Sequence, residues 1–456
     1  MRNLWKILGA AVLCLALTGC SSFTMMDAKT LMAPPKVNED QQAIYQLLRN
    51  GRQEVTYVYP TTGEFRSAII MHDFTGDGQA DAVGFTNVED GGTEVRFLTK
   101  SSGEWRLLAV FRNQANQVDR VCFGKLTSRT RDDVIIGWGV SSGATGRTAS
   151  VTAYLYDGAF GFSEAPMGLY AEMVLADLDG NGLQEVFTVD KAVPAETEAD
   201  SPTPATARLY AWDGTTMGEK ADTPADSNIT SYSQTLFGRL GADLNGVVLD
   251  GVRADGSLTT QVFCLENGFL TNYPQGVNTE EYATAFQRPS SAPFLSRDID
   301  GDGTLEIPRT SLLPCLPEDA VPDSTSYLVE WTAFRKPGVG QLVARCLMNQ
   351  AENYWFRLPY KLRDRITAEN DSAAHTVTYR EVLPQGENGD GPSPGGEIFS
   401  IRVFTRAAWD REAEQDGYEL LTTQGDVFYG IRGGSRASDW VSFRQTVKSS
   451  FSLLME

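Results

Sequence analysis

Apolar runs of strand length stop at a glycine turn and resume along most of this chain. Phe97 leads to Ser102-Gly103 and resumes at Trp105, and Tyr156 leads to Asp157-Gly158 and resumes at Phe160. Trp212 is followed by Asp213-Gly214, and Leu265 by Asn267-Gly268 and Phe269. Asp-Gly and Asn-Gly between strand-like runs predict hairpins, because such turns need positive φ. The four glycines lie 55, 56 and 54 residues apart. The next, Gly338 after Trp331 to Phe334, lies 70 further on, and a Pro-rich insertion over residues 313–326 accounts for most of that excess.

A second pattern keeps step with the first. An acidic nonamer occurs at residues 73–81, 177–185 and 298–306, with oxygen-bearing side chains at its positions 1, 3, 5 and 9 and glycine at 4 and 6. The copies are Asp73, Thr75, Asp77 and Asp81; Asp177, Asp179, Asn181 and Glu185; and Asp298, Asp300, Asp302 and Glu306. Oxygen donors at that spacing, with glycines to fold the backbone tightly, describe a loop around a hard cation. The same loop would stand without metal if its carboxylates only held the turn's own amides. Each gap between copies holds two periods, and degenerate versions fill the middles. Phe123-Gly124-Lys125-Leu126 leads through Asp132 and Asp133 into Val134 to Ile136, and Phe237-Gly238-Arg239-Leu240 leads through Asp243 and Asn245 into Val247 to Leu249. There are thus five loop units, of which the first, third and fifth keep the carboxylates.

Each unit reads as four short strands: one into the loop, one out of it (Ala82 to Phe85, Val186 to Val189) and a hairpin. The expected fold is mostly β: a β-propeller of five to six four-stranded repeats over residues 51–350, followed by a small α+β domain over 351–456. Residues 55–65 are expected to form a closing hairpin that completes the ring with strands from the far end. An open repeat array or a sandwich is the alternative. Beyond about residue 350 the period is lost. Residues 354–358, 376–382 and 398–404 alternate as strands, and 409–414 and 440–454 suggest helices. Residues 191–206, rich in Pro, Ala, Thr and Glu, read as an exposed insertion.

Residues 66–312 resemble the FG-GAP/VCBS-type repeats of bacterial surface proteins, also found in the integrin α-chain propeller. The resemblance implies that positions 1, 3, 5 and 9, with the backbone carbonyl of position 7, hold calcium. That assigns Asp73, Asp77, Gln79 (carbonyl) and Asp81 to a first site, weakened where Thr75 replaces a carboxylate. It assigns Asp177, Asp179, Asn181, Leu183 (carbonyl) and Glu185 to a second. Asp298, Asp300, Asp302, Thr304 (carbonyl) and Glu306 form the third, which has the most carboxylates. The C-terminal region resembles small C-terminal domains of secreted clostridial proteins.

The N-terminus changes the picture of where the chain works. Arg2 and Lys6 precede an apolar run over residues 7–17 that is too short to span a bilayer, and Leu17-Thr18-Gly19-Cys20 closes it. This resembles a bacterial lipobox, which implies a signal peptide over 1–19, a lipidated Cys20 and a tether over 20–50. The protein is then expected outside the cytoplasm, touching membrane only through its lipid. Ser21 after Cys20 resembles the outer-membrane sorting pattern of enterobacterial lipoproteins. The net charge of −20 excludes nucleic acid and anionic lipid surfaces as partners.

Catalytic signals are sparse. With two histidines, His72 and His375, a histidine-based zinc site is excluded. Gly139-Val140-Ser141-Ser142-Gly143 matches G-x-S-x-G, but that elbow needs a strand followed by a helix, and a strand is expected on both sides. Cys122 and Cys264 sit in apolar runs and read as buried free thiols. The expectation is therefore a binding or scaffold protein, not an enzyme, whose loops recognise an envelope protein or a glycan. The alternatives are a polysaccharide-acting enzyme using Asp/Glu chemistry, and an envelope-assembly scaffold.

Overall fold

A computed structural model describes residues 39–89, 91–140, 148–158, 161–195, 201–273, 286–316, 326–336, 339–359, 362–384 and 391–454. The signal, Cys20 and most of the tether lie outside the described residues. The structure is mostly β, with six antiparallel sheets of four or five strands following one another along the chain.

Helix α1 (Glu39–Arg49) comes first. The first sheet is a meander of β1 (Ile69–His72), β2 (Asp81–Asn87), β3 (Thr93–Ser101) and β4 (Glu104–Asn113). The second is β5 (Gln117–Gly124), β6 (Asp133–Val140), β7 (Thr148–Tyr156) and β8 (Phe162–Tyr170). The third is β9 (Glu172–Ala176), β10 (Glu185–Val189), β11 (Thr206–Trp212) and β12 (Met217–Pro224). The fourth is β13 (Ile229–Gly241), β14 (Leu244–Arg253), β15 (Leu258–Glu266) and β16 (Phe269–Tyr273). The fifth is β17 (Ile307–Leu312), β18 (Ser326–Lys336), β19 (Val339–Asn349) and β20 (Tyr354–Arg357), with the last strand β26 (Ser452–Leu453) added at its edge. The sixth takes β21 (Ile366–Asp371), β22 (Thr376–Leu383), β23 (Ser393–Thr405), β24 (Glu419–Gln424) and β25 (Val427–Gly433) in the order β21-β22-β23-β25-β24. Helix α2 (Arg406–Glu412) follows β23, and α3 (Ala437–Ser450) follows β25.

The hairpins fall where the glycine turns predict them. Gly103, Gly158, Gly214 and Gly268 have φ of 85°, 81°, 99° and 84°, and each joins the third strand of a sheet to its fourth. Residues 337–338, the fifth expected turn, lie outside the described residues.

Burial on both faces explains why the second strands read as unbroken apolar runs. In β6, Val134, Ile136 and Trp138 pack on the first sheet with Val83, Phe85 and Phe97, while Ile135 between them packs toward the third with Val186 and Tyr210. In β14, Val247 and Leu249 meet Phe187 of the third sheet, and Val248 faces Ile307 of the fifth. Strand alternation thus delivers one side chain forward and the next back, and joins the second and fourth sheets each to both neighbours. The far face of the first sheet is covered by α1, whose Ile44 and Leu48 pack on Ala82 and Leu98. Gly84 makes room for Leu48, since a β-carbon there would come within 2.5 Å of it.

One expectation changes. Residues 55–65 form no hairpin: Tyr57 bridges to Thr86, the Val58 amide donates to the Phe85 carbonyl, and Thr61 and Thr62 donate to Asp119. This segment straps the first sheet to the second. The boundary expected at 350/351 falls on the turn between the paired strands β19 and β20, and one core holds Leu328, Leu347 and Phe356 together with Val377 and Phe399 of the sixth sheet. Helix α1 lies within residues 20–50, the stretch expected to be the lipid-anchored tether.

Candidate cation-binding loops

The first two acidic loops lead into the second strand of a sheet, β2 and β10, and the third into β17, the first strand of the fifth; their glycines show why the spacing is fixed. Gly76 and Gly78, Gly180 and Gly182, and Gly301 and Gly303 all have φ between 70° and 85°. The position-1 carboxylate gathers the amides this curl exposes. Asp73 accepts from Gly76 at 2.7 Å and Gly78 at 2.8 Å; Asp298 accepts from Gly301 and Gly303 at the same distances. Asp177 accepts from Gly182 at 3.0 Å.

The structure separates the expected ligands into two groups. Positions 1, 3 and 9 converge: Asp177, Asp179 and Glu185 each offer an oxygen within 4.8 Å of the others, and Asp298, Asp300 and Glu306 do the same. These two triads could hold a metal ion. Position 5 lies outside these triads and caps the turn through one oxygen. Asp77, Asn181 and Asp302 accept from the amides of Gln79, Leu183 and Thr304 at 2.7–2.8 Å. The 73–81 loop brings no such triad together among the described residues. Thr75 takes position 3, and both oxygens of Asp81 are engaged, by Thr99 Oγ1 at 2.6 Å and the Thr75 amide at 2.9 Å.

The position-9 glutamates are the unusual groups. Glu306 is fully buried. Its Oε2 accepts from the Ile299 amide at 3.0 Å, while Oε1 has no hydrogen-bond partner. Burial, and then the neighbouring Asp300, Asp302 and Asp298, push its carboxyl up to about 7. Burial likewise raises Glu185 to about 7. An open hollow of about 640 Å³ adjoins Asp300, Asp302 and Glu306 and is bounded by Gln341, Leu342 and Val343. A carboxyl whose folded pKa lies above its ordinary value stabilises the fold below pH ~4.5, and that contribution is lost as pH rises through about 7. A divalent ion takes only the ionised form. The rise in melting temperature on adding a divalent cation should therefore be larger at pH 8 than at pH 5.5. Equal gains at the two pH values would separate cation binding from Glu306.

The degenerate units have a physical role that their sequence does not display. The Leu305 amide donates to the Arg239 carbonyl at 2.7 Å, and the Gln184 amide to the Lys125 carbonyl at 2.8 Å. Each Phe-Gly-basic-Leu segment is thus the seat for the acidic loop of the next sheet. Its glycine is required by close approach: a β-carbon on Gly238 would lie 2.9 Å from Leu305, and one on Gly124 2.5 Å from Leu175. Arg239 also donates to the Asp302 carbonyl and Arg129 to the Asn181 carbonyl, so each triad loop is braced by an arginine from the preceding sheet.

Other expectations resolve as follows. His72 Nε2 lies 2.8 Å from Asp132 and its ring stacks on Phe123; His375 Nδ1 lies 3.2 Å from Glu352. Residues 141–143 of the G-x-S-x-G stretch lie outside the described residues; the nearest described elements on either side are the strands β6 and β7. Cys264 and Cys346 are buried free thiols, and Cys122 is half-buried. No helix among the described residues is long and apolar enough to cross a membrane.

A polar hollow of about 180 Å³, which sequence reasoning missed, is lined by Arg120 of β5, Glu172 and Met173 of β9 and residues 232–235 of β13. Arg120 reaches Asp119 at 3.2 Å and Glu172 at 3.5 Å, and Asp119 accepts from Tyr170 Oη at 2.6 Å. Burial raises the Glu172 carboxyl.

No family model matches this chain, and no curated protein matches it. Among solved structures, AofleA from Arthrobotrys oligospora is similar at 12% identity over 67% of this chain and 90% of its own, with a TM-score of 0.25. That level of likeness carries no argument.

Proposed function

We propose that this chain is a lipid-anchored extracytoplasmic binding protein. In this reading the six sheets are the blades of an FG-GAP/VCBS-like β-propeller, calcium stabilises its acidic loops, and the loops recognise an envelope protein or a glycan. The observation that carries the metal part is Glu306, buried with one oxygen unpartnered beside Asp298 and Asp300. An all-oxygen donor set suits a hard cation such as calcium. The propeller reading is supported by the first strands of the second, third and fourth sheets lining one hollow, as radially arranged blades would. Lipid anchoring rests on the lipobox ending at Cys20.

Two experiments test it. Fatty-acid label should enter the wild type and be lost in Cys20→Ala; equal labelling of both ends the lipoprotein reading. Crosslinking on intact cells and binding to arrayed envelope glycans should yield a specific partner. The arginine-bridged carboxylates Asp119 and Glu172, one of them with a raised pKa, give the polysaccharide-acting alternative a specific address. Turnover in a polysaccharide screen, lost in Glu172→Gln, would replace the binding reading with that one.

A further inference from the structure

The two triads differ in one neighbour, and the difference lies on a strand far from either loop in sequence. In the third sheet, Leu209 pairs with Ala221 and Tyr210 with Glu219, so Lys220 is an extra, unpaired residue: a β-bulge. In the fifth, Trp331 pairs with Ala344 and Thr332 with Leu342, which leaves Val343 as the bulged residue. The two bulges occupy the same place. Tyr210 and Thr332 are each the partner of the residue following the position-9 glutamate, Val186 in one sheet and Ile307 in the other. The first sheet repeats the device between Phe97 and Leu98, with Leu108 bulged.

What stands at the bulge tracks how each loop's charge is met. Beside Leu108, both Asp81 oxygens are satisfied by Thr99 and Thr75. Beside Val343, Glu306 Oε1 has no partner and the hollow opens onto Asp300 and Glu306. At the third sheet, Lys220 Nζ lies 2.7 Å from Asp179 Oδ2 and 3.7 Å from Glu185 Oε1. Its ammonium stands against two members of the triad. Backbone amides hold the other oxygens of these two, with Asn181 donating to Asp179 and Leu178 to Glu185, while Asp177 Oδ1 has no hydrogen-bond partner.

We infer that Lys220 is a resident cation, covalently tethered in the place of a metal, and that the residue at the bulge decides whether an acidic loop takes a divalent ion. The 177–185 loop is then metal-independent, and the 298–306 loop is the one that binds. This rests on the calcium reading of the 298–306 loop given above. A primary ammonium and a calcium ion compete for the same carboxylates, but the lysine is present at every calcium concentration. The two loops then give one site that answers to external calcium and one that does not.

The test is calcium titration of the full-length protein by calorimetry, alongside melting in chelator. The wild type should bind about one ion with Asp298/Asp300-dependent affinity, and Lys220→Met about two. Lys220→Met should also melt lower than wild type in chelator and recover with calcium. The reciprocal Val343→Lys should lose the wild-type ion while melting normally in chelator, so the inference stays testable if Lys220→Met folds poorly. Lys220→Met combined with Asp298→Ala and Asp300→Ala should keep one ion, held by the 177–185 loop. A wild type that binds at both loops, or a Lys220→Met protein that gains no ion, overturns the inference; so does a Val343→Lys protein with undiminished affinity. If wild type binds nothing and Lys220→Met binds one ion, the calcium reading of 298–306 fails while the role of Lys220 stands.

Discussion

Replacing Arg288 with methionine is expected to destabilise the protein by about 3–5 kcal/mol, the largest loss of any single change described for this chain. Arg288 and Asp250 are both fully buried, and Nη2 reaches Oδ1 at 2.9 Å. The guanidinium also donates to Thr260 Oγ1 and the Phe286 carbonyl, while Asp250 accepts from the amide and hydroxyl of Ser296 at 2.7 and 2.9 Å. Removing the arginine strands a carboxylate inside the protein, which costs far more than the pair itself contributes. Asp250→Asn combined with Arg288→Met should recover much of the loss, and urea denaturation of the three proteins measures both effects. A loss below about 1 kcal/mol in the single variant would show that the pair does not hold the 286–289 segment to the fourth sheet. Since Ser296 lies two residues before Asp298, the same variant should also weaken cation binding at the 298–306 loop.

The second large effect is that of calcium itself. A ligand held only by the folded state adds about 2.7 kcal/mol at a hundredfold excess over its dissociation constant. Melting in excess calcium should therefore exceed melting in chelator by several degrees. Asp298→Ala with Asp300→Ala should abolish the difference. Asp73→Ala should leave it intact, because the 73–81 loop brings no carboxylate triad together among the described residues. Unchanged melting in wild type would reduce the 298–306 loop to turn chemistry, and attention would move to the hollow at Glu172.

Much of the architecture is legible in the sequence because it rests on local rules. A tight hairpin needs positive φ at its turn, so glycine marks the third-to-fourth strand turn of the first four sheets. Strands buried on both faces must be apolar throughout, so residues 134–136 and 247–249 announce themselves. The misreadings come from contacts that sequence spacing cannot display. Tyr57 and Tyr59 alternate as a strand would, yet Pro60 follows, and the segment crosses from one sheet to the next instead of folding back. Helix α1 carries Ile44 and Leu48 four apart behind Glu39 and Asp40, a signal that was there to be used. In the loops, spacing names every oxygen but not which ones the turn consumes. Only geometry shows that Asp302 holds the Thr304 amide while Glu306 keeps an oxygen unpartnered. Lys220 is further hidden, 41 residues from Asp179 and brought to it by a bulge.

The seating of each acidic loop on the preceding Phe-Gly-basic-Leu segment bears on how such a chain can lengthen. A single extra unit would set two acidic loops side by side, one without its glycine seat and its arginine brace. Adding two neighbouring units together keeps every triad loop supported. The unit of support is thus a pair of sheets, one carrying an acidic loop and the preceding one seating it.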